Sequence, residues 1–128
     1  MATILLVEDD DLVRDMLAQV LTRANHSVLT ATNGEEAIEL LKTTLPDIMV
    51  TDIIMPKKSG ITLISEVKNK HPLMEIIAIS GGGRLDPTGY LDLSESIGAA
   101  VSFEKPVDKT ALLMAIDLLL QGKSAITS

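Results

Sequence analysis

The chain has 128 residues, 46% of them apolar, a length that suits one domain able to hide roughly two thirds of its unfolded surface in a single core. Its 11 basic residues against 18 acidic ones give a formal charge of -7, so the surface repels phosphate backbones and nucleic acid is not an expected partner. The absence of cysteine excludes a disulfide framework, a thiolate metal site and a cysteine nucleophile, and the two aromatic residues, Tyr90 and Phe103, leave almost nothing from which to build a flavin stack or a base-stacking platform.

No apolar run approaches the roughly 20 residues that span a bilayer, and Met1-Ala2-Thr3 lacks the basic start of a signal peptide. The expectation is a cytoplasmic protein with no membrane association. Short β-branched apolar runs alternate five times with segments whose apolar residues recur at three and four positions. The predicted strands are Thr3 to Val7, Ser27 to Ala31, Ile48 to Thr51, Ile76 to Ile79 and Ala100 to Phe103. Several are apolar on both faces, which predicts an α/β fold with a parallel sheet covered by helices on each side.

The first helix is expected to open at Asp10 or Asp11 and end near Asn25, with Leu12, Val13, Met16, Leu17, Val20 and Leu21 on its core stripe. The second follows Asn33-Gly34, carries Glu35 and Glu36 where the helix dipole favours acids, and runs to about Thr44 before Pro46. The third follows Ser59-Gly60, aligns Ile61, Ile64 and Val67, and stops before His71-Pro72. The fourth is delayed by Gly81-Gly82-Gly83 and Asp86-Pro87 until about Thr88, runs to Ile97 and is closed by Gly98. The fifth spans Lys109 to Gln121, with Leu112, Leu113, Ile116, Leu119 and Leu120 facing the sheet. Met114 and Leu118 fall on its opposite side, where a helix covering a sheet meets water; they are either scattered surface apolars or part of a partner surface. Residues 122–128 are expected to form a loose tail.

In a parallel α/β sheet, ligands bind at the carboxyl ends of the strands. The residues there are Glu8, Asp9, Asp10 and Asp11 after the first strand, Asp52 at the third, Ser80-Gly81-Gly82 after the fourth and Glu104-Lys105-Pro106 after the fifth. Carboxylates brought this close raise one another's pKa unless a cation sits among them, and Mg2+ accepts such a site while keeping positions open for water and a phosphoryl oxygen. Asp52 is then free to act as a nucleophile toward phosphorus, with Lys105 neutralising charge, Ser80 donating a hydrogen bond and Gly81 leaving the approach open. Taken singly, each has a plainer reading. Asp9 to Asp11 could cap a helix, Asp52 and Ser80 could be turn residues, and Lys105 could be a surface lysine. Asp10 and Asp11 are expected to be caps only, and His26 and His71, on the opposite edge of the sheet, to be surface residues and not ligands.

Ile-Leu-Leu-Val-Glu-Asp-Asp at 4–10, Pro-Asp-Ile-Met-Val-Thr-Asp-Ile-Ile-Met-Pro at 46–56, Ile-Ile-Ala-Ile-Ser-Gly at 76–81 and Phe-Glu-Lys-Pro at 103–106 together resemble a response regulator receiver domain. The resemblance spans Thr3 to about Gln121. It implies a doubly wound, flavodoxin-like (βα)5 sandwich with strand order 2-1-3-4-5, as a single domain over residues 1–128. It also implies that Asp52 is the phosphoacceptor and that Glu8 and Asp9 form the acidic pair. Mg2+ would be bound by Glu8, Asp9, Asp52 and the carbonyl of Ile54, with Ser80 as switch hydroxyl, Lys105 as phosphoryl-binding lysine and a cis peptide before Pro106. The implied activity is a phosphorylation switch with slow self-dephosphorylation, more than an enzyme. Its partners would be a sensor histidine kinase or histidine phosphotransfer protein, and a downstream protein target met through the fourth helix, fifth strand and fifth helix, including Met114 and Leu118. Homodimerisation on phosphorylation is left open.

One departure concerns output. The aromatic that many receivers carry three residues before the lysine is here Ser102, with Phe103 one step on and expected to point into the core. The glycine-rich loop after Ser80 is an alternative reader of phosphorylation. Two competing functions are disfavoured: a Mg2+-dependent phosphohydrolase wants a second carboxylate where Ile54 stands, and a flavodoxin-like cofactor binder wants a phosphate-friendly first loop where Glu8 to Asp11 stand.

Overall fold

The computed structural model describes residues 2–55, 58–80, 95 and 97–127. Strands β1 (Thr3–Val7), β2 (Ser27–Ala31), β3 (Ile48–Asp52), β4 (Glu75–Ser80) and β5 (Val101–Glu104) form one sheet in the order β2-β1-β3-β4-β5. All its pairings are parallel. Helices α1 (Asp11–Arg23), α2 (Gly34–Leu41), α3 (Gly60–Lys70) and α4 (Lys109–Thr127) flank it. The α4 helix is the fifth helix of the sequence reading; the fourth, Thr88 to Ile97, lies almost wholly outside the described residues, as does the loop after Ser80.

Side chains alternate across each strand, so the sheet builds two cores. Ile4, Leu6, Val50 and Ile77 pack with Leu17 and Leu21 of α1 and Leu112 and Ile116 of α4. Leu5, Val7, Met49 and Ile76 pack with Ala37 of α2 and Leu63, Ile64 and Val67 of α3 on the other face. β3 is buried along its whole length, as expected for a central strand covered on both sides.

Local chemistry sets the helix starts. Asp10, Asn33 and Ser59 are N-caps whose side-chain oxygens accept the backbone N–H of Leu12 and Val13, of Glu36 and of Thr62 respectively. Several ends differ from expectation. The α2 helix stops at Leu41, because β-branched Thr43 and Thr44 and then Pro46 favour the turn in which Thr44 N–H returns to Leu40 O. The α4 helix runs through the expected tail to Thr127; no proline interrupts it, and Gly122 costs a helix only about 1 kcal/mol. Leu12, expected on the core stripe, is instead 82% exposed. His26, expected at the surface, is buried, its Nδ1 accepting the Ala2 N–H at 3.2 Å. Met114 and Leu118 are exposed, as their helical phase requires. Among the described residues no helix is long and apolar enough to cross a membrane.

Candidate functional site at the carboxyl ends of the strands

The register of the sheet assembles the site. Val7 pairs with Thr51, so Glu8 and Asp52 emerge side by side; Asp52 pairs with Ile79, so Ser80 follows next to it; and Ser80 pairs with Glu104, which delivers Lys105. The ladder persists one step beyond the strands on each side: Glu8 N–H donates to Ala31 O at 3.0 Å, Ile53 N–H to Ile79 O at 2.9 Å and Lys105 N–H to Ser80 O at 2.8 Å.

Glu8 is 1% exposed, Asp52 4% and Ser80 0%, while Asp9 is exposed at the rim. Carboxylate oxygens of Glu8, Asp9 and Asp52 lie within 4.8 Å of one another. Lys105 Nζ stands 2.7 Å from Glu8 Oε1 and donates to Asp52 Oδ2 at 3.1 Å. Asp52 Oδ1 accepts the Ile54 N–H at 3.3 Å, and Glu8 Oε2 accepts the Asp10 N–H at 3.0 Å. Glu8 Oε1, although beside the ammonium, is buried and receives no well-directed hydrogen bond among the described residues. The peptide bond between Lys105 and Pro106 is cis. Gly81 and Pro56 lie outside the described residues.

Burial dominates the electrostatics. It pushes Glu8 from 4.5 up to about 7, against the opposing pull of Lys105 and of the Asp10 N–H. Burial likewise raises Asp52 above the ordinary aspartate value, although Lys105 and the Ile54 N–H oppose it. For Lys105 burial disfavours the charge, but contact with Glu8 and the charge of Asp52 outweigh it and hold the ammonium above its ordinary value. Two or three carboxylates facing one lysine leave an excess of negative charge. Three converging carboxylates, one with a buried oxygen lacking a directed donor, suit a hard divalent cation.

Two residues to which the sequence reading gave no role at the site shape it. Arg14, whose side chain is 16% exposed, donates from Nη1 to the Glu8 carbonyl at 2.9 Å and from Nη2 to Asp11 Oδ1 at 2.5 Å. Its i,i+3 spacing from Asp11 was visible in the sequence; its reach to Glu8 was not. Gly60, the first residue of α3, lies so near the end of β3 that a Cβ there would stand 2.2 Å from Asp52 O and 2.5 Å from Ile53 Cα. The helix thus presses on the backbone that carries Asp52. Asp10 is the α1 N-cap and Asp11 a first-turn acid, as expected. Ser102, at the position of the usual aromatic, donates to Glu95 Oε2 at 2.5 Å, and Phe103 packs partly buried against the α1 and α4 core.

The family model for the response regulator receiver domain matches residues 4–117. The chain is 31% identical over 121 residues to a cyclic di-GMP phosphodiesterase of Thermotoga maritima, covering 94% of this chain and 32% of that protein. It is 40% identical over 82 residues to the chemotaxis protein CheY of the same organism, covering 63% of this chain and 68% of CheY. The transcriptional regulatory protein GlrR of Escherichia coli is 31% identical over 98% of this chain and 28% of its own length. The chain thus spans about a third or less of some of these relatives, and the activities in their names are properties of those proteins. Among solved structures, a receiver domain protein from Clostridium thermocellum superposes with a TM-score of 0.89 at 27% identity, covering 98% of this chain and 99% of its own. A response regulator from Chloroflexus aurantiacus gives 0.85 at 29% identity, covering 94% and 98%. Sheet order, carboxyl-edge site and family match agree: the chain belongs to the response regulator receiver domains of two-component systems.

Proposed function

We propose that residues 1–128 form a single receiver domain, with its core at 3–121, that accepts a phosphoryl group on Asp52 from a phosphohistidine of a sensor kinase or phosphotransfer protein. The observation that carries this reading is the environment of Asp52, buried at a strand end between Lys105 and the carboxylates of Glu8 and Asp9. In the transfer an Asp52 carboxylate oxygen forms a bond to phosphorus as the bond from phosphorus to the donor imidazole nitrogen breaks. The Lys105 ammonium, already within reach of Asp52, follows the phosphoryl oxygens and offsets their charge. The Ser80 hydroxyl, at the adjacent strand end, donates to one of them. Hydrolysis of the acyl phosphate by water returns phosphate and free Asp52.

Glu8, Asp9, Asp52 and the Ile54 carbonyl would hold Mg2+, which when bound supplies charge neutralisation and orientation for the incoming phosphoryl group. The protein acts as a cytoplasmic switch and not as a turnover enzyme, its downstream protein target meeting β5 and the exposed Met114 and Leu118 of α4. The fourth helix of that face lies outside the described residues.

The test is intact mass after incubation with acetyl phosphate and Mg2+, for the wild type and Asp52→Asn, with and without chelator. A single phosphoryl adduct that requires Mg2+ and disappears in the variant is expected. A folded wild type that stays unmodified, or an adduct that survives Asp52→Asn, refutes the assignment.

A further inference from the structure

The main chain of the β1–α1 turn is braced by its own side chains, two carboxylates and one cation. Glu8 Oε2 holds the Asp10 N–H, Asp10 Oδ1 holds the N–H groups of Leu12 and Val13, and Arg14 N–H returns to Asp10 O at 2.9 Å. The Arg14 guanidinium then closes the ring by donating to the Glu8 carbonyl and to Asp11. Asp9 lies inside this ring, its neighbours on both sides fixed while its own carboxylate stays at the rim.

We propose that Arg14 is a positioning residue for divalent-cation binding: it locks the main chain at Glu8 so that Glu8 and Asp9 present their carboxylates together beside Asp52. This rests on the cation site proposed above. The rigid two-pronged guanidinium suits the task, since one group spans a carbonyl and a carboxylate on the same turn. The inference makes a prediction opposite in sign to simple electrostatics. Removing a positive charge next to an acidic pocket should tighten a cation by Coulomb attraction alone. Loss of positioning should weaken it, by roughly tenfold or more, as for groups that orient metal ligands.

The experiment is calorimetric titration with Mg2+ of wild type, Arg14→Met and Arg14→Lys, with folding of each checked by circular dichroism in chelator. It is paired with phosphorylation by acetyl phosphate as a function of Mg2+. Affinity should fall in the order wild type, Arg14→Lys, Arg14→Met, because lysine keeps one donor but not the fork. The half-saturating Mg2+ should rise in the same order while the phosphorylation rate at saturating Mg2+ stays near wild type; because Mg2+ would refold a partly unfolded variant and give the same pattern, the comparison is made on variants that circular dichroism shows to be fully folded in chelator. Arg14→Met binding Mg2+ as tightly as wild type or tighter overturns the inference and leaves the cation site standing. A folded wild type that does not bind Mg2+ overturns the cation site and this inference with it. Should Arg14→Met not fold, Arg14→Lys decides: wild-type affinity in that variant refutes the role of the fork.

Discussion

Glu8 offers the sharpest test of the electrostatic reasoning. In the folded, metal-free protein it titrates at about 7 in place of 4.5, with burial as the main cause. A folded-state pKa above the unfolded one means that the native state binds the proton more tightly. The associated stability is complete below about pH 4.5 and is lost as pH rises through about 7. At about 1.4 kcal/mol per unit, the loss amounts to roughly 3 kcal/mol by pH 8, and the raised Asp52 adds to it in the same direction. Glu8→Gln keeps the shape of the neutral acid and cannot ionise. In chelator at pH 8 the variant should therefore be more stable than wild type by up to about 3 kcal/mol, and at pH 4.5 the two should nearly coincide. Mg2+ should narrow the gap, since a cation at a hundredfold excess over its Kd stabilises the wild type by about 2.7 kcal/mol and the variant, lacking a ligand, by less. The assay is urea unfolding followed by far-ultraviolet circular dichroism at both pH values. If Glu8→Gln is equal to or less stable than wild type at pH 8 in chelator, the pairing with Lys105 outweighs desolvation and the account of the pocket is wrong.

Other expectations follow from packing. Gly60→Ala should cost about 1–3 kcal/mol despite alanine's better helix propensity, because the atoms nearest its Cβ would be backbone, at Asp52 O and Ile53 Cα, which cannot swing aside; unchanged stability in urea unfolding would contradict this. Leu112→Ala should cost roughly 2–5 kcal/mol, whereas Met114→Asp and Leu118→Asp on the outer face of the same helix should stay within about 0.5 kcal/mol; a large loss from the outer pair would show that face to be covered. Asp10→Ala should lower stability by about 1 kcal/mol through loss of the α1 cap, measured the same way, and a neutral result would mean that water replaces the cap.

The sequence by itself determined what depends on period and on neighbours in the chain. Strands β1 and β2 end where their apolar runs end, and Asp10, Asn33 and Ser59 announce three helices because a cap acts within three residues of itself. The same alternation, with function sought at strand ends, already singled out Glu8, Asp9, Asp52, Ser80 and Lys105, and the sheet register brings Glu8, Asp52, Ser80 and Lys105 to one edge. Tertiary structure decided the rest. Pattern could not show that Arg14 reaches back to the Glu8 carbonyl, that Gly60 abuts the backbone of Asp52, or that His26 is buried against Ala2. Those contacts depend on how a helix sits on the sheet or how a turn closes, and hydrophobic periodicity carries no record of it. The exposure of Leu12 belongs with them: helical phase marks it as core, but phase alone does not say where along a helix there is a neighbouring surface to pack against.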